Sequence, residues 1–202
     1  MAGKKGTDTR QRILQAASAL FAERGFDATS VREIVEAAGV AKPALYYYFK
    51  NKVELGRSLL AENFEEFIDE LQAAIAQTGE ATDRIEAIVW AHFSACNENL
   101  DLTRFIYATS FGPGASPFSR DGVDFNDRLR RMISAAMKEL QRDGSIRKDM
   151  DADYLATSLQ GSAQIWMMLE IKRKQSLLTR KLSRKIARTF LEGAGTTDGR
   201  EA

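Results

Sequence analysis

The segment SVREIVEAAGVAKPALYYYFKNK, Ser30 to Lys52, decides how the rest of the chain reads. Ser30 and Glu33 have the Ser-x-x-Glu spacing of a capping box, which marks a helix start. Val31, Ile34, Val35 and Ala38 fall at i, i+3, i+4 and i+7, so one face of that helix is apolar. Gly39 ends it, because glycine reaches the left-handed conformation at little cost, and Val40 plugs the turn. Pro43 suits the first turn of a second helix, where a missing N–H is no loss. This second helix is very short. Leu45 and Phe49, at i and i+4, turn inward, and Tyr46, Tyr47 and Tyr48 are left largely outward. Two short helices joined by a tight glycine turn are the outline of a helix-turn-helix, whose second helix lies in the major groove of DNA.

The tyrosines need a reason to be outside. Burying all three phenols would require three hydroxyl partners, and so short a helix turns only one side inward. A half-buried aromatic cluster is one reading. The flanking Lys42, Lys50 and Lys52 favour another, in which phenol hydroxyls and ammonium groups meet phosphate oxygens. Met1 to Leu55 carries nine Lys/Arg against six Asp/Glu, in a chain whose formal net charge is only +1, so the basic character is local.

The pattern Gly39-Val40-x-x-x-x-Leu45-Tyr46-x-Tyr48-Phe49-Lys50-Asn51-Lys52, with an amphipathic helix upstream, resembles the Tet-repressor (TetR) family of transcription regulators. The resemblance is specific over roughly Thr9 to Leu60; beyond that, size and an all-helical pattern agree. Carried over position by position, it implies that Lys42, Pro43, Ala44, Tyr46, Tyr47, Tyr48 and Lys52 touch DNA from the recognition helix and just beyond. Ser30 and Arg32 would do so from the helix before. Two positions depart from the family pattern: Lys42 stands where Ser or Thr is common, and Ala44 where Thr is common. Ala44 can offer only a methyl, suited to that of thymine, and Lys42 can reach guanine or only phosphate.

The chain has 202 residues, with 44% hydrophobic and 28% charged, enough for one or two domains with a real core. Cys96 is the single cysteine, which excludes an internal disulfide and fits a reducing cytoplasm. No apolar run approaches the roughly 18–20 residues of a membrane span. Met1 to Thr7 is basic but leads into no apolar core, so it does not read as a signal peptide.

In order, Met1 to Thr7 reads as a disordered basic arm whose Lys4 and Lys5 are either solvated or within reach of DNA. Helix 1 is expected from about Thr9 to Glu23, with Gly25 ending it. Phe21, Phe26, Val31, Ile34, Leu45 and Phe49 would form the core of a three-helix unit. Helix 4 is expected from near Asn51 to about Gln77, long enough to leave that unit and act as a mechanical link. Helix 5 should span Thr82 to Glu98 with Ile85, Ile88, Val89, His92, Phe93 and Cys96 inward, and helix 6 Leu102 to Phe111. The Gly112-Pro113-Gly114-Ala115-Ser116-Pro117 stretch is the clearest break. Helix 7 should run from about Gly122 to Arg142. Helix 8, Asp151 to about Lys174, is apolar on more than one side and must be covered twice; a partner subunit could supply one cover. Helix 9, about Leu177 to Leu191, places Leu178, Leu182, Ile186 and Phe190 in one row. A basic row, Lys172 to Lys174 and then Arg180 to Arg188, faces elsewhere, toward solvent, a second DNA contact or an acidic partner. The predicted fold is all-α, about nine helices, divided as 1–52 helix-turn-helix domain, 53–192 effector-binding and dimerisation domain, and 193–202 disordered tail.

His92 is the only histidine, on the apolar face of helix 5. It reads either as a satisfied core residue or as a polar group in a ligand cavity. No His-Glu-x-x-His, nucleophile elbow, phosphate-binding glycine loop or dinucleotide fingerprint is present, so no catalytic residue, metal or cofactor is expected. The aromatic and methionine residues of the C-terminal part read as core or as cavity lining. The family resemblance implies a cavity among helices 4 to 8, for which Trp90, His92, Phe93, Phe105, Met132 and Trp166 are the candidates. It also implies a homodimer through helices 8 and 9, operator DNA as partner, and a small apolar or amphipathic effector that releases a repressor. A sequence-nonspecific architectural DNA-binding protein without an effector is the alternative.

Overall fold

The computed structural model describes residues 2–111, 116–173 and 176–194. Gly112 to Ala115 of the expected break, Lys174 of the basic row, and residues 195–202 of the expected tail lie outside the described residues. Among those described there are nine α-helices and no strand: α1 (Ala2–Arg24), α2 (Val31–Ala38), α3 (Lys42–Tyr48), α4 (Lys52–Ile75), α5 (Ala81–Glu98), α6 (Leu100–Phe111), α7 (Ser119–Arg142), α8 (Ala152–Arg173) and α9 (Arg180–Ala194).

Most helix starts are written in short polar side chains. Ser30 caps α2, the Asn51 carbonyl oxygen of the side chain accepts from Glu54 N–H at 2.8 Å ahead of α4, Asn99 accepts from Leu102 at 3.0 Å ahead of α6, and Asp151 accepts from Tyr154 at 2.7 Å ahead of α8. Three starts depart from the sequence expectation by three residues or more, α7 among them at Ser119 instead of about Gly122. α1 begins at Ala2, well before Thr9, because nothing between stops it: Gly3 and Gly6 are poor helix formers, but only proline would break the ladder. α9 begins at Arg180 instead of Leu177, since Thr179 accepts from Leu182 N–H at 3.2 Å and serves as the cap.

The chain forms two compact units, Met1–Glu65 with Asn99–Val123, and Glu66–Glu98 with Asp124–Ala202. In the first, α1 packs against α2, α3 and α6. Ile13, Leu14, Ala17 and Phe21 of α1 meet a core that includes Ile34, Leu45, Phe49, Leu55 and Phe105, all buried. Of the six expected core residues, Phe26 and Val31 are only half-buried. Phe26 instead joins an aromatic chain, with centroids 5.1 Å from Phe21 and 4.8 Å from Phe118, and Phe118 lies 5.6 Å from Phe105. Phe118 fits because position 56 is glycine: a Cβ there would lie 2.6 Å from the Phe118 ring.

In the second unit α5 is covered by α8 and α9, and its residues from Ile85 to Val89 and from Ala91 to Phe93 are buried, Glu86 and His92 among them. The face of α9 differs from the one expected. Ser183 and Ala187 are fully buried with Leu178, while Leu182, Ile186 and Phe190 are only half-buried. Small side chains let α9 approach α5 closely, and charge holds the pairing: Arg184 reaches Asp83 at 3.1 Å and Glu86 at 3.3 Å, and Arg180 lies 3.8 Å from Glu86. Part of the basic row is thus spent within the fold.

Candidate functional site

The two helices that the sequence singled out are held by local chemistry. Glu33 N–H donates to the Ser30 hydroxyl oxygen at 3.2 Å, and Ser30 N–H donates to the Glu33 carboxylate at 2.8 Å, a complete capping box. The Ser30 N–H, then its hydroxyl, then Arg24 at 2.9 Å lower the pKa of Glu33. At the other end Gly39 takes φ 62°, and Val40 N–H donates to Val35 carbonyl at 3.0 Å. Arg12 of α1 reaches this end, donating to the Ala38 carbonyl at 2.6 Å and the Gly39 carbonyl at 3.0 Å. A guanidinium here satisfies free carbonyls at the negative end of the α2 dipole. The sequence reading missed it because the pair is 26 residues apart.

The seven-residue α3 follows with Pro43 in its first turn. Leu45 and the following Phe49 are buried, whereas Tyr46 is 47% and Tyr47 81% exposed. Lys42 and Pro43 are exposed, and Ala44 and Tyr48 half-buried. The Tyr47 and Tyr48 rings stack edge to face at 4.9 Å, and the Lys42 ammonium lies 5.9 Å from the Tyr46 ring centre. The outer side of α3 therefore presents phenols and one cation on a rigid support. Lys50 is exposed just beyond. On α2, Arg32 is exposed and donates to Glu36 at 2.7 Å, a bond that raises its pKa. Ser30 is exposed, with its hydroxyl engaged in the cap.

Lys52 is placed differently from the rest. Its ammonium donates to the carbonyls of Phe26 at 2.7 Å and Thr29 at 2.8 Å, with Asp27 at 3.4 Å, and sits 4.3 Å from the centre of the Phe26 ring. Its three N–H donors point into the α1–α2 loop and leave none for a phosphate. In this arrangement Lys52 fastens the loop, and Lys42 and Lys50 are the cations beside the tyrosines.

The candidate effector residues are divided between the two units. Phe105 is core of the first unit, 5.1 Å from Phe21. The other five belong to the second unit. Trp90 is half-buried under the Arg180 guanidinium, 4.5 Å from its ring. Phe93 is fully buried, and Met132 and Trp166 are half-buried. His92 is 4% exposed, with Nδ1 2.9 Å from the Ile88 carbonyl. Desolvation lowers its pKa, offset in part by that bond. Its neighbour is Phe67, at 5.0 Å and edge to face, with Phe125 6.0 Å further on. An amide cluster was also missed. Asn126 accepts from Gln160 at 3.2 Å and Gln164 at 3.0 Å, and Gln160 is buried. Gln160 between Leu159 and Ala163 on an apolar face was the available signal. A groove of about 360 Å³ lies elsewhere, in the first unit along α1 and α2, beside Arg12, Gln15 and Ala37.

Residues 13–59, from α1 into α4, match the family model described as bacterial regulatory proteins, tetR family. The transcriptional repressor KstR2 of Mycolicibacterium smegmatis is 28% identical over 147 residues, 72% of this chain and 71% of that protein. The transcriptional activator FasR of the same organism is 31% identical over 104 residues, 52% of this chain and 48% of that one. Among solved structures, FadR from Bacillus subtilis in complex with stearoyl-CoA superposes with a TM-score of 0.77 at 22% identity, over 91% of this chain and 98% of that chain. The fatty acid degradation regulator FadR from Bacillus halodurans gives 0.79 at 20% identity, over 92% and 95%. Identities this low establish a shared fold for these two.

Proposed function

The chain belongs to the tetR family of bacterial regulatory proteins, and from that premise we propose that it is a ligand-responsive transcription regulator, a repressor released from its operator by a small apolar or amphipathic effector. The observation that carries the reading is the division of α3: Leu45 and Phe49 fill the core while Tyr46 and Tyr47 stand out beside Lys42. A seven-residue helix so divided is a rigid presenter of phenols and a cation, the chemistry that reads groove edges and phosphates. In this reading Ser30, Arg32, Lys42, Pro43, Ala44, Tyr46, Tyr47 and Tyr48 make the DNA face within 1–52, and Lys50 replaces Lys52 as the flanking phosphate contact.

The protein acts as a homodimer through 53–192. The half-buried Leu182, Ile186 and Phe190 of α9, with Ile165 of α8 54% exposed, are an apolar surface suited to a second copy. Two α3 helices then meet successive major grooves about 34 Å apart. The effector is received in the unit that holds His92, Phe67 and Phe125. That one relative is named a fatty acid metabolism regulator, and that a protein of the same fold was solved with stearoyl-CoA, favours an aliphatic body for it. The protein is cytoplasmic, without catalysis or cofactor.

The test is binding to operator and to random duplex DNA at matched salt. A regulator shows a specificity ratio of roughly 10³ or more. A ratio near one leaves the architectural reading instead. By reciprocity, an effector that weakens operator binding a hundredfold is itself bound a hundredfold less tightly by the DNA complex, about 2.7 kcal/mol of coupling.

A further inference from the structure

The two nitrogens of His92 are in different positions. Nδ1 lies 2.9 Å from the carbonyl oxygen of Ile88, one turn earlier on α5. That oxygen can only accept, so Nδ1 carries the proton and donates. Nε2 is then a bare lone pair, an acceptor. It is buried and has no hydrogen-bond partner among the described residues. A cationic imidazole, with donors on both nitrogens, is disfavoured there because burial lowers its pKa below the ordinary 6.5.

Buried acceptors without a donor are rare in folded proteins, because the lost hydration is not replaced. The surroundings are aromatic. Phe67, itself half-buried, packs its ring edge to face against the imidazole at 5.0 Å, and Phe125 stands 6.0 Å from Phe67. An apolar body lying along these two rings would lie beside the imidazole that carries Nε2. The sign of a polar group that meets Nε2 follows. A carboxylate meets this neutral ring lone pair to lone pair, and could bind only with a second proton on the imidazole, which burial disfavours. A hydroxyl or an amide would place a hydrogen between.

We propose that Nε2 of His92 accepts a hydrogen bond from the effector, which is an apolar molecule carrying a hydroxyl or amide N–H at the point where it meets α5. This rests on the reading that the second unit receives an effector. It goes further by specifying a donor, and by excluding an ionised acid from that contact.

Dodecanol, dodecanamide, dodecyl methyl ether and dodecanoate are titrated against the full chain, wild type and His92→Leu. Dodecanol and dodecanamide are expected to bind wild type about tenfold more tightly than the other two, and the preference is expected to vanish in the variant. His92 is the only histidine, so histidine-selective ¹⁵N labelling reports one ring. The free protein should show the Nδ1-protonated tautomer, with an Nε2 resonance that moves to lower frequency on adding dodecanol and stays put with the ether. Alcohol and ether binding alike, no probe binding, a preference that survives His92→Leu, or an Nε2-protonated ring would each overturn the inference. An Nε2 resonance unmoved by bound alcohol would do so too, with a buried water as the donor. Operator affinity is measured separately. His92-dependent binding that leaves operator affinity unchanged supports the donor contact and overturns the effector-release reading.

Discussion

The Lys52 ammonium lies 2.7 Å from the Phe26 carbonyl oxygen and 4.3 Å from the centre of the same residue's ring. One side chain thus holds both the backbone and the aromatic group of a residue 26 positions away. Charge-assisted bonds to carbonyls and an ammonium over a ring are each modest. Together they fasten the loop from which α2 starts.

Lys52→Met should therefore lower stability by about 1–3 kcal/mol, from lost charged hydrogen bonds and the lost cation–π contact. The salt dependence of binding to random DNA should keep its slope. Loss of a phosphate contact would instead reduce it by about 0.9 units. A reduced slope at unchanged stability would return Lys52 to the DNA face.

Tyr47→Ala removes the most exposed ring of α3, 81% accessible, with only an edge contact to Tyr48. Operator affinity should fall about tenfold or more while the urea midpoint stays within error. Unchanged affinity would mean that this side of α3 does not meet the DNA.

Gly56→Ala would bring a methyl carbon to 2.6 Å from the Phe118 ring. Overpacking of this kind costs about 1–3 kcal/mol. Combining it with Phe118→Leu, which shortens the intruding side chain, should recover part of the loss. An additive double variant would show that the two do not meet.

Ile186→Glu places a carboxylate on the half-buried row of α9. If that row is covered by a second copy, the unpaired charge costs on the order of several kcal/mol. Light scattering at micromolar concentration should read a dimer for wild type and a monomer for the variant. A variant that remains dimeric would move the interface elsewhere.

His92 also sets a pH dependence. Its folded pKa is lowered from 6.5 by burial, so in the window below 6.5 the unfolded chain binds more protons than the folded one. Stability is full above pH 6.5 and is lost as pH falls toward the folded value. Glu70 acts with the opposite sign, since desolvation, then Glu98 and Glu66, raise its pKa above 4.5. The comparison that isolates His92 is the loss between pH 7.5 and 5.5 in wild type against His92→Phe. The variant should lose less; parallel losses would contradict a buried neutral ring.

What was legible in the sequence was local. Ser30 with Glu33, the left-handed Gly39, and Leu45 with Phe49 act within a few residues of one another, so spacing alone located α2 and α3. Contacts that leap along the chain were not legible. Lys52 reads as a phosphate ligand until the carbonyls of Phe26 and Thr29 are beside it. Phe105 reads as cavity lining until Phe21 and Phe118 close around it. On α9 the eye follows Leu182, Ile186 and Phe190, whereas the packing chose Ser183 and Ala187, because Arg180 and Arg184 had charges to meet on α5 and close approach needs small residues. His92 was correctly placed on the buried side of α5, but its tautomer required the Ile88 carbonyl.

The first compact unit is assembled from two separated pieces of chain, ending at Glu65 and resuming at Asn99. Its aromatic chain is incomplete until Phe105 and Phe118 have been made. A ribosome adding about 5–20 residues per second needs several seconds to travel from Glu65 to Phe118. During that interval Phe21 and Phe26 have no partners for one side of their rings, and the emerging helices expose them. The end that matches the tetR family model is synthesised first but is finished late, and a gene fragment cut after Glu65 would encode it without the last two rings of its unit.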